Sequence, residues 1–100
     1  MIRGTTPTHK WTIPVDATAV KTARVTYKQG EEVLLVKNTE DCVVEGKALK
    51  VTLTQEDTLK FSHKKKAEVQ ARLLTFDMKS FATRVVEVPV WELLEDEVMT

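Results

Sequence analysis

The residues able to do chemistry in this chain are few and far apart. Cys42 is its only cysteine, and His9 and His63 are its only histidines. A thiolate nucleophile needs a base within reach and a group to orient that base. Nothing around Cys42 marks either one. It precedes Val43-Val44, where a free cysteine behaves as a small buried hydrophobe. A zinc site needs several ligands at workable spacing, and there is no C-x-x-C or H-x-x-x-H. Glu31-Glu32 and Glu95-Asp96-Glu97 are carboxylate clusters without a D-x-D-x-D-G calcium loop, so they read as a solvated turn and a solvated tail. No glycine-rich phosphate loop and no G-x-S-x-G occurs. The expectation is no catalytic residue, no metal, no cofactor and no enzyme.

What remains suits contact better than catalysis. His63-Lys64-Lys65-Lys66 is a basic loop able to meet phosphate or an acidic protein. Trp11 and Trp91 could each offer a flat platform. Trp11 alternates with polar residues and is expected in the core, whereas Trp91 follows the last strand and is open to either fate. The net charge is +0, which argues against a dedicated nucleic-acid binder. That balance hides blocks: residues 1–30 carry +4, 31–60 carry −3, 61–90 carry +3 and 91–100 carry −4. Complementary blocks can steer copies of a chain together. The candidate interface is therefore His63, Lys64, Lys65, Lys66, Trp91, Glu92, Glu95, Asp96 and Glu97.

Elements must hold these residues in place, and the pattern for them is alternation. Trp11, Ile13 and Val15 alternate with Lys10, Thr12 and Pro14. Pro14 places that strand at an edge or ends it. Ala23, Val25 and Tyr27 alternate with Arg24, Thr26 and Lys28 before a turn at Lys28 to Glu31. Val33 to Val36 is a short apolar strand closed by Asn38-Thr39. Cys42 and Val44 begin another, which Glu45-Gly46-Lys47 turns back into Leu49, Val51 and Leu53. Val69, Ala71 and Leu73 follow, then a reversal at Asp77 to Ser80. The reversal lacks the glycine of tight hairpin turns, so a longer or type I turn is expected. Val86, Val88 and Val90 complete the set, with Pro89 keeping that strand at an edge. About seven short strands in one small chain predict an all-β sandwich or small barrel.

Within VTLTQEDTLKF, residues 51 to 61, the period changes from strand to helix. Thr54 suits an N-cap, with Asp57 at the capping-box position and acidity in the first turn. Leu59 and Phe61 can plug the core. A strand that ends in a capped turn can cross from one sheet of a Greek key to the other. The fold expected is an immunoglobulin-like Greek-key β-sandwich with one short helical crossing near residues 55–61. It forms a single domain over 1–100, with 95–100 frayed. The first residues, MIRGTTPTHK, show no apolar leader, and no run approaches the length that spans a bilayer. No membrane is expected as a partner.

Three stretches carry a resemblance: Met1-Ile2-Arg3-Gly4-Thr5-Thr6-Pro7-Thr8, Val51 to Leu59, and Val88-Pro89-Val90 through Leu94. They resemble small proteins of about this length encoded in bacteriophage and prophage structural regions and mostly without an assigned role. The pattern is also similar to the immunoglobulin-like N-terminal domain of phage baseplate upper proteins. This chain departs from the resemblance at Asp77-Met78, where such proteins often have Asp-Gly, and in its more basic loop at His63 to Lys66. The resemblance implies a non-enzymatic virion structural or accessory protein. It would assemble with itself, as a homo-oligomer, or dock to tail and baseplate proteins, first in the host cytoplasm and then in the virion. The alternative is a monomeric binding module for a peptide, a host protein or a surface glycan.

Overall fold

In the computed structural model, which describes residues 1–100, the alternating segments form strands. In chain order these are β1 (Thr8–Thr12), β2 (Val20–Gln29), β3 (Glu32–Lys37), β4 (Cys42–Glu45), β5 (Ala48–Thr52), β6 (Ala67–Thr75), β7 (Ser80–Ala82) and β8 (Val86–Val88). One helical turn, α1 (Gln55–Leu59), separates β5 from β6. A 3-stranded sheet has the order β1-β5-β4, and a 5-stranded sheet has the order β3-β2-β6-β7 with β8 also on β6. Every strand pair is antiparallel. The chain is an all-β, immunoglobulin-like sandwich.

The orders match B-E-D and C′-C-F-G of immunoglobulin-like domains. The last strand is broken in two, which turns the expected seven into eight. β7 pairs with the end of β6 through Leu73↔Phe81, and β8 with its start through Ala67↔Val88. Thr83 bridges the break. Its N–H donates to the Ala71 carbonyl at 2.9 Å, and its hydroxyl accepts from the Ala71 N–H at 3.0 Å.

The crossing is built as the sequence reads. The Thr54 hydroxyl accepts from the Asp57 N–H at 3.1 Å, and the Asp57 carboxylate accepts from the Thr54 N–H at 2.9 Å. This is a reciprocal capping box with aspartate in place of the usual glutamate. The helix ends at Leu59, two residues short of the expected limit, and Phe61 then enters the core. Its ring meets Tyr27 edge-on at 5.9 Å between centroids. Around this pair lie Val25, Leu49, Val51, Leu53 and Val69, all buried. Those in strands alternate with residues facing outward, and Leu53 continues the β5 pattern one residue past its end, which is why a single core forms between the sheets.

The first strand of the full immunoglobulin pattern has no counterpart beside β1. Instead the N-terminal residues run to the far sheet. The Met1 ammonium donates to the Pro89 carbonyl at 2.8 Å, and Ile2 forms a parallel bridge with Trp91.

Candidate interaction surfaces

The residues with catalytic potential sit apart from one another. Cys42 is half-buried on β4 opposite Val51. Burial, followed by the charges of Asp41 and Glu40, pushes its thiol above the ordinary value. A nucleophilic thiol needs the opposite shift. His9 Nδ1 lies 2.7 Å from the hydroxyl of Tyr27. Burial pushes the His9 imidazole down and the Tyr27 phenol up, which favours a neutral ring beside a protonated phenol. No group of three or more His, Cys, Asp or Glu side chains converges as a metal site would require.

The basic loop has a defined backbone beneath exposed side chains. Gln29 is buried at the end of β2, which runs on through it although the sequence pattern put residues 28–31 in a turn. Its amide nitrogen donates to the carbonyls of Ser62 (2.7 Å) and Lys65 (2.9 Å), and its oxygen accepts from the Ser62 N–H at 2.8 Å. His63, Lys64, Lys65 and Lys66 are all exposed. Lys66 approaches Glu87 at 3.5 Å, an exposed pair that contributes little.

The acidic end is irregular, yet it is tied down. Arg3 grips both oxygens of Asp96, at 2.7 and 3.1 Å. The same guanidinium donates to the carbonyls of Phe61 (2.6 Å) and Leu59 (3.1 Å), so it also closes the C-terminal end of α1. Met99 is held through both its N–H and its carbonyl by the Gln55 side chain, at 2.7 and 3.0 Å. Residues 95–100 therefore have no regular structure but are anchored at two points, where the sequence suggested fraying. Glu92, Glu95 and Glu97 are exposed and take part in none of the ion pairs.

Trp91 is 59% exposed, although its backbone is paired with the N-terminal segment. Since Arg3 joins Phe61 to Asp96, the basic loop and the acidic tail both emerge at the end of the sandwich that α1 closes. They are neighbours rather than opposite poles, and no ion pair joins them within the chain.

A second surface comes from the unpaired edge of β1. Leu53 donates to the Pro7 carbonyl and Ile13 to the Lys47 carbonyl, each at 2.9 Å. By the alternation of antiparallel pairing, His9 and Trp11 face β5 with their backbone groups, while Thr8, Lys10 and Thr12 direct theirs outward. Between this edge and β7 is a groove of about 330 Å³ whose lining includes Trp11, Ile13, Pro14, Leu73 and Phe81. Trp11 is half-buried against the core here, less enclosed than its place in the alternation suggested. The groove was not legible in the sequence, since it arises from a missing neighbour strand.

These features define an immunoglobulin-like domain with one charged, ordered end and one open strand edge. No family model, curated protein or solved structure matches the chain.

Proposed function

We propose that this chain is a non-enzymatic structural or accessory component of a phage particle, acting by self-assembly or by docking to tail and baseplate proteins. It would work in the host cytoplasm during assembly and afterwards in the virion. The phage context rests on the resemblance of the opening, the crossing and the closing stretch. The contact role rests on one observation: the C-terminal segment is held in place while Trp91, Glu92, Glu95 and Glu97 face solvent. A segment ordered in advance loses less conformational freedom on association, and unpaired charges on it can select a partner.

The test is solution mass by light scattering from ~10 μM to ~1 mM, the range in which weak association appears, at low and high salt. A defined multimer that loosens with salt supports assembly through charge. A salt-resistant multimer supports an apolar contact that includes Trp91. Glu replacements at Lys64, Lys65 and Lys66 test whether the basic loop takes part.

The competing reading, a monomeric binding module, is favoured by the β1 edge and its groove. Such an edge can accept an added strand from a peptide, although flanking Pro7 and Pro14 limit its length. A monomer at every concentration that captures an extended peptide, or whose Trp91 emission is quenched by a glycan, would move the assignment there.

A further inference from the structure

The middle of the larger sheet carries a charge arrangement that the fold does not explain. Arg24 on β2 and Arg72 on β6 are register partners, directly opposite one another. Both are exposed on the outer face, since their neighbours Ala23, Val25, Ala71 and Leu73 are buried. Like charges facing each other across a strand pair are unfavourable. A carboxylate nearby would relieve them, but none does so. The ion pairs of the chain are Arg3–Asp96, Lys37–Asp57, Lys50–Glu45, Lys66–Glu87 and Lys79–Asp77. A shallow slot of about 210 Å³ lies at the pair, bordered by Thr22, Leu73, Leu74 and Ser80 as well as the two arginines. Two guanidiniums beside an apolar floor and two hydroxyls form a receptor for a pair of carboxylates, each able to be held through two N–H groups.

The chain carries a segment that matches. Asp96 is turned onto its own body by Arg3. The residues on either side of it are two positions apart, so their Cα atoms lie at most about 7 Å from one another. Those residues are Glu95 and Glu97, both without an ionic partner. Leu94, 97% exposed, precedes them and could rest on the apolar part of the slot.

The receptor and the tail of one chain are kept apart. The tail is anchored at the α1 end by Arg3 and Gln55. Arg24 lies five residues along β2 from Gln29, which holds the loop at that end. Five strand residues span roughly 16 Å. Reaching its own arginines would require the tail to leave both anchors.

We infer that Arg24 and Arg72 form the docking site for Glu95 and Glu97 of a second copy of this chain. The inference rests on the self-assembly reading above and deepens it by naming both halves of the interface. The contact is head-to-tail, so the receptor of each copy remains available to another. Such heterologous contacts close into rings or extend as filaments. The basic loop at His63 to Lys66 cannot serve that geometry as readily, because it emerges beside the tail.

Two variants test this, Arg24→Gln with Arg72→Gln, and Glu95→Gln with Glu97→Gln, each followed by light scattering alone and in equimolar mixture. The wild-type chain is expected to form a salt-sensitive multimer. Each variant alone should weaken that association by about tenfold or more, a loss of about 1.4 kcal/mol. Mixed, they should yield a 1:1 heterodimer and nothing larger, since the first variant keeps its tail, the second keeps its receptor, and one intact contact remains between them. That recovery cannot come from misfolded chains. Wild-type assembly that survives the arginine replacements overturns this interface and leaves self-assembly standing. Variants that each stay monomeric and fail to pair on mixing also overturn it. A wild-type chain that is monomeric at ~1 mM overturns it together with self-assembly, and leaves only docking to other proteins.

Discussion

Lys37 Nζ lies 2.7 Å from Asp57 Oδ2, and both side chains are almost enclosed. The pair ties the end of β3 in one sheet to the crossing helix that leaves the other. Asp57 also closes the capping box, so a single carboxylate serves two contacts. Burial by itself would raise this carboxyl, but the Lys37 ammonium and the Thr54 N–H outweigh it and hold the group below its ordinary value. Removing one member of an enclosed pair leaves the other charge uncompensated. Asp57→Ala is therefore expected to lower unfolding free energy by about 3 kcal/mol, measured by urea denaturation at neutral pH. The folded carboxyl titrates below the unfolded one. Its contribution is complete above the ordinary carboxylate range and is lost as pH falls through the folded value. The acid limb of wild-type stability below about pH 4 should flatten in Asp57→Ala. A loss under ~1 kcal/mol, or an unchanged acid limb, would rule out this role for the pair.

Much of this corner was legible in the sequence, and the reason is local. The cap at Thr54, its aspartate partner and the entry of Phe61 depend on residues a few positions apart. The strands were legible because alternation is a property of each segment. Lys37 was not, because it falls between the apolar run and the Asn38-Thr39 that closes it, and its partner is twenty residues away. Gln29 was hidden more fully: the sequence pattern put it in a turn, whereas β2 runs through it, and its bonds to Ser62 and Lys65 need the folded chain. The Arg24–Arg72 pair requires register. Each arginine takes an ordinary outward position until β2 and β6 are set side by side.

The β6–β7 turn stores strain at one residue. Met78 has φ of 64°, the only non-glycine residue in the left-handed region. The turn is otherwise well bonded: the Thr75 N–H donates to the Lys79 carbonyl at 2.9 Å, and the Met78 N–H donates to the Thr75 carbonyl at 3.0 Å. The Met78 side chain is exposed and contributes no core packing. Left-handed backbone is unfavourable for an L-residue by about 1–2 kcal/mol, partly offset in glycine by its greater freedom when unfolded. Met78→Gly should stabilise the domain by about 1 kcal/mol, raising Tm by about 4–8 °C in a calorimetric scan. A lower Tm would mean that the methionine has a contact which outweighs the strain.

Cys42 should behave as a structural thiol. Its raised pKa and its place on β4 opposite Val51 both oppose thiolate formation. Labelling with a thiol-reactive disulfide at pH 8 is expected to be about tenfold slower or more in the folded chain than in urea. Cys42→Ser should leave any assembly unaltered. Fast labelling of the folded protein would instead point to an activated sulfur and reopen thiol chemistry.

Gly4 is the point at which the two ends of the chain meet. Its φ is +76°, and a Cβ added there would lie 2.5 Å from Cδ2 of Leu93. Alanine meets two separate obstacles at this position, a backbone it adopts poorly and a side chain already in the space. Leucine can swing aside, since its terminal methyl is flexible, but doing so takes its side chain off Gly4 and removes one contact between the segment after Trp91 and the body. Gly4→Ala is expected to destabilise the fold by about 1–2 kcal/mol from the backbone alone. It should also loosen the Arg3–Asp96 anchor, so that limited proteolysis trims the last residues faster than in wild type. Adding Leu93→Ala separates the two effects. The clash disappears in the double variant while the backbone strain stays, so stability should recover only in part. Full recovery would show that the clash alone mattered, and unchanged trimming in Gly4→Ala would show that the tail is held by Arg3 and Gln55 without help from Leu93. If the tail does loosen, the carboxylates of Glu95 and Glu97 lose their fixed presentation. Self-association should then weaken in Gly4→Ala even though every charge is retained.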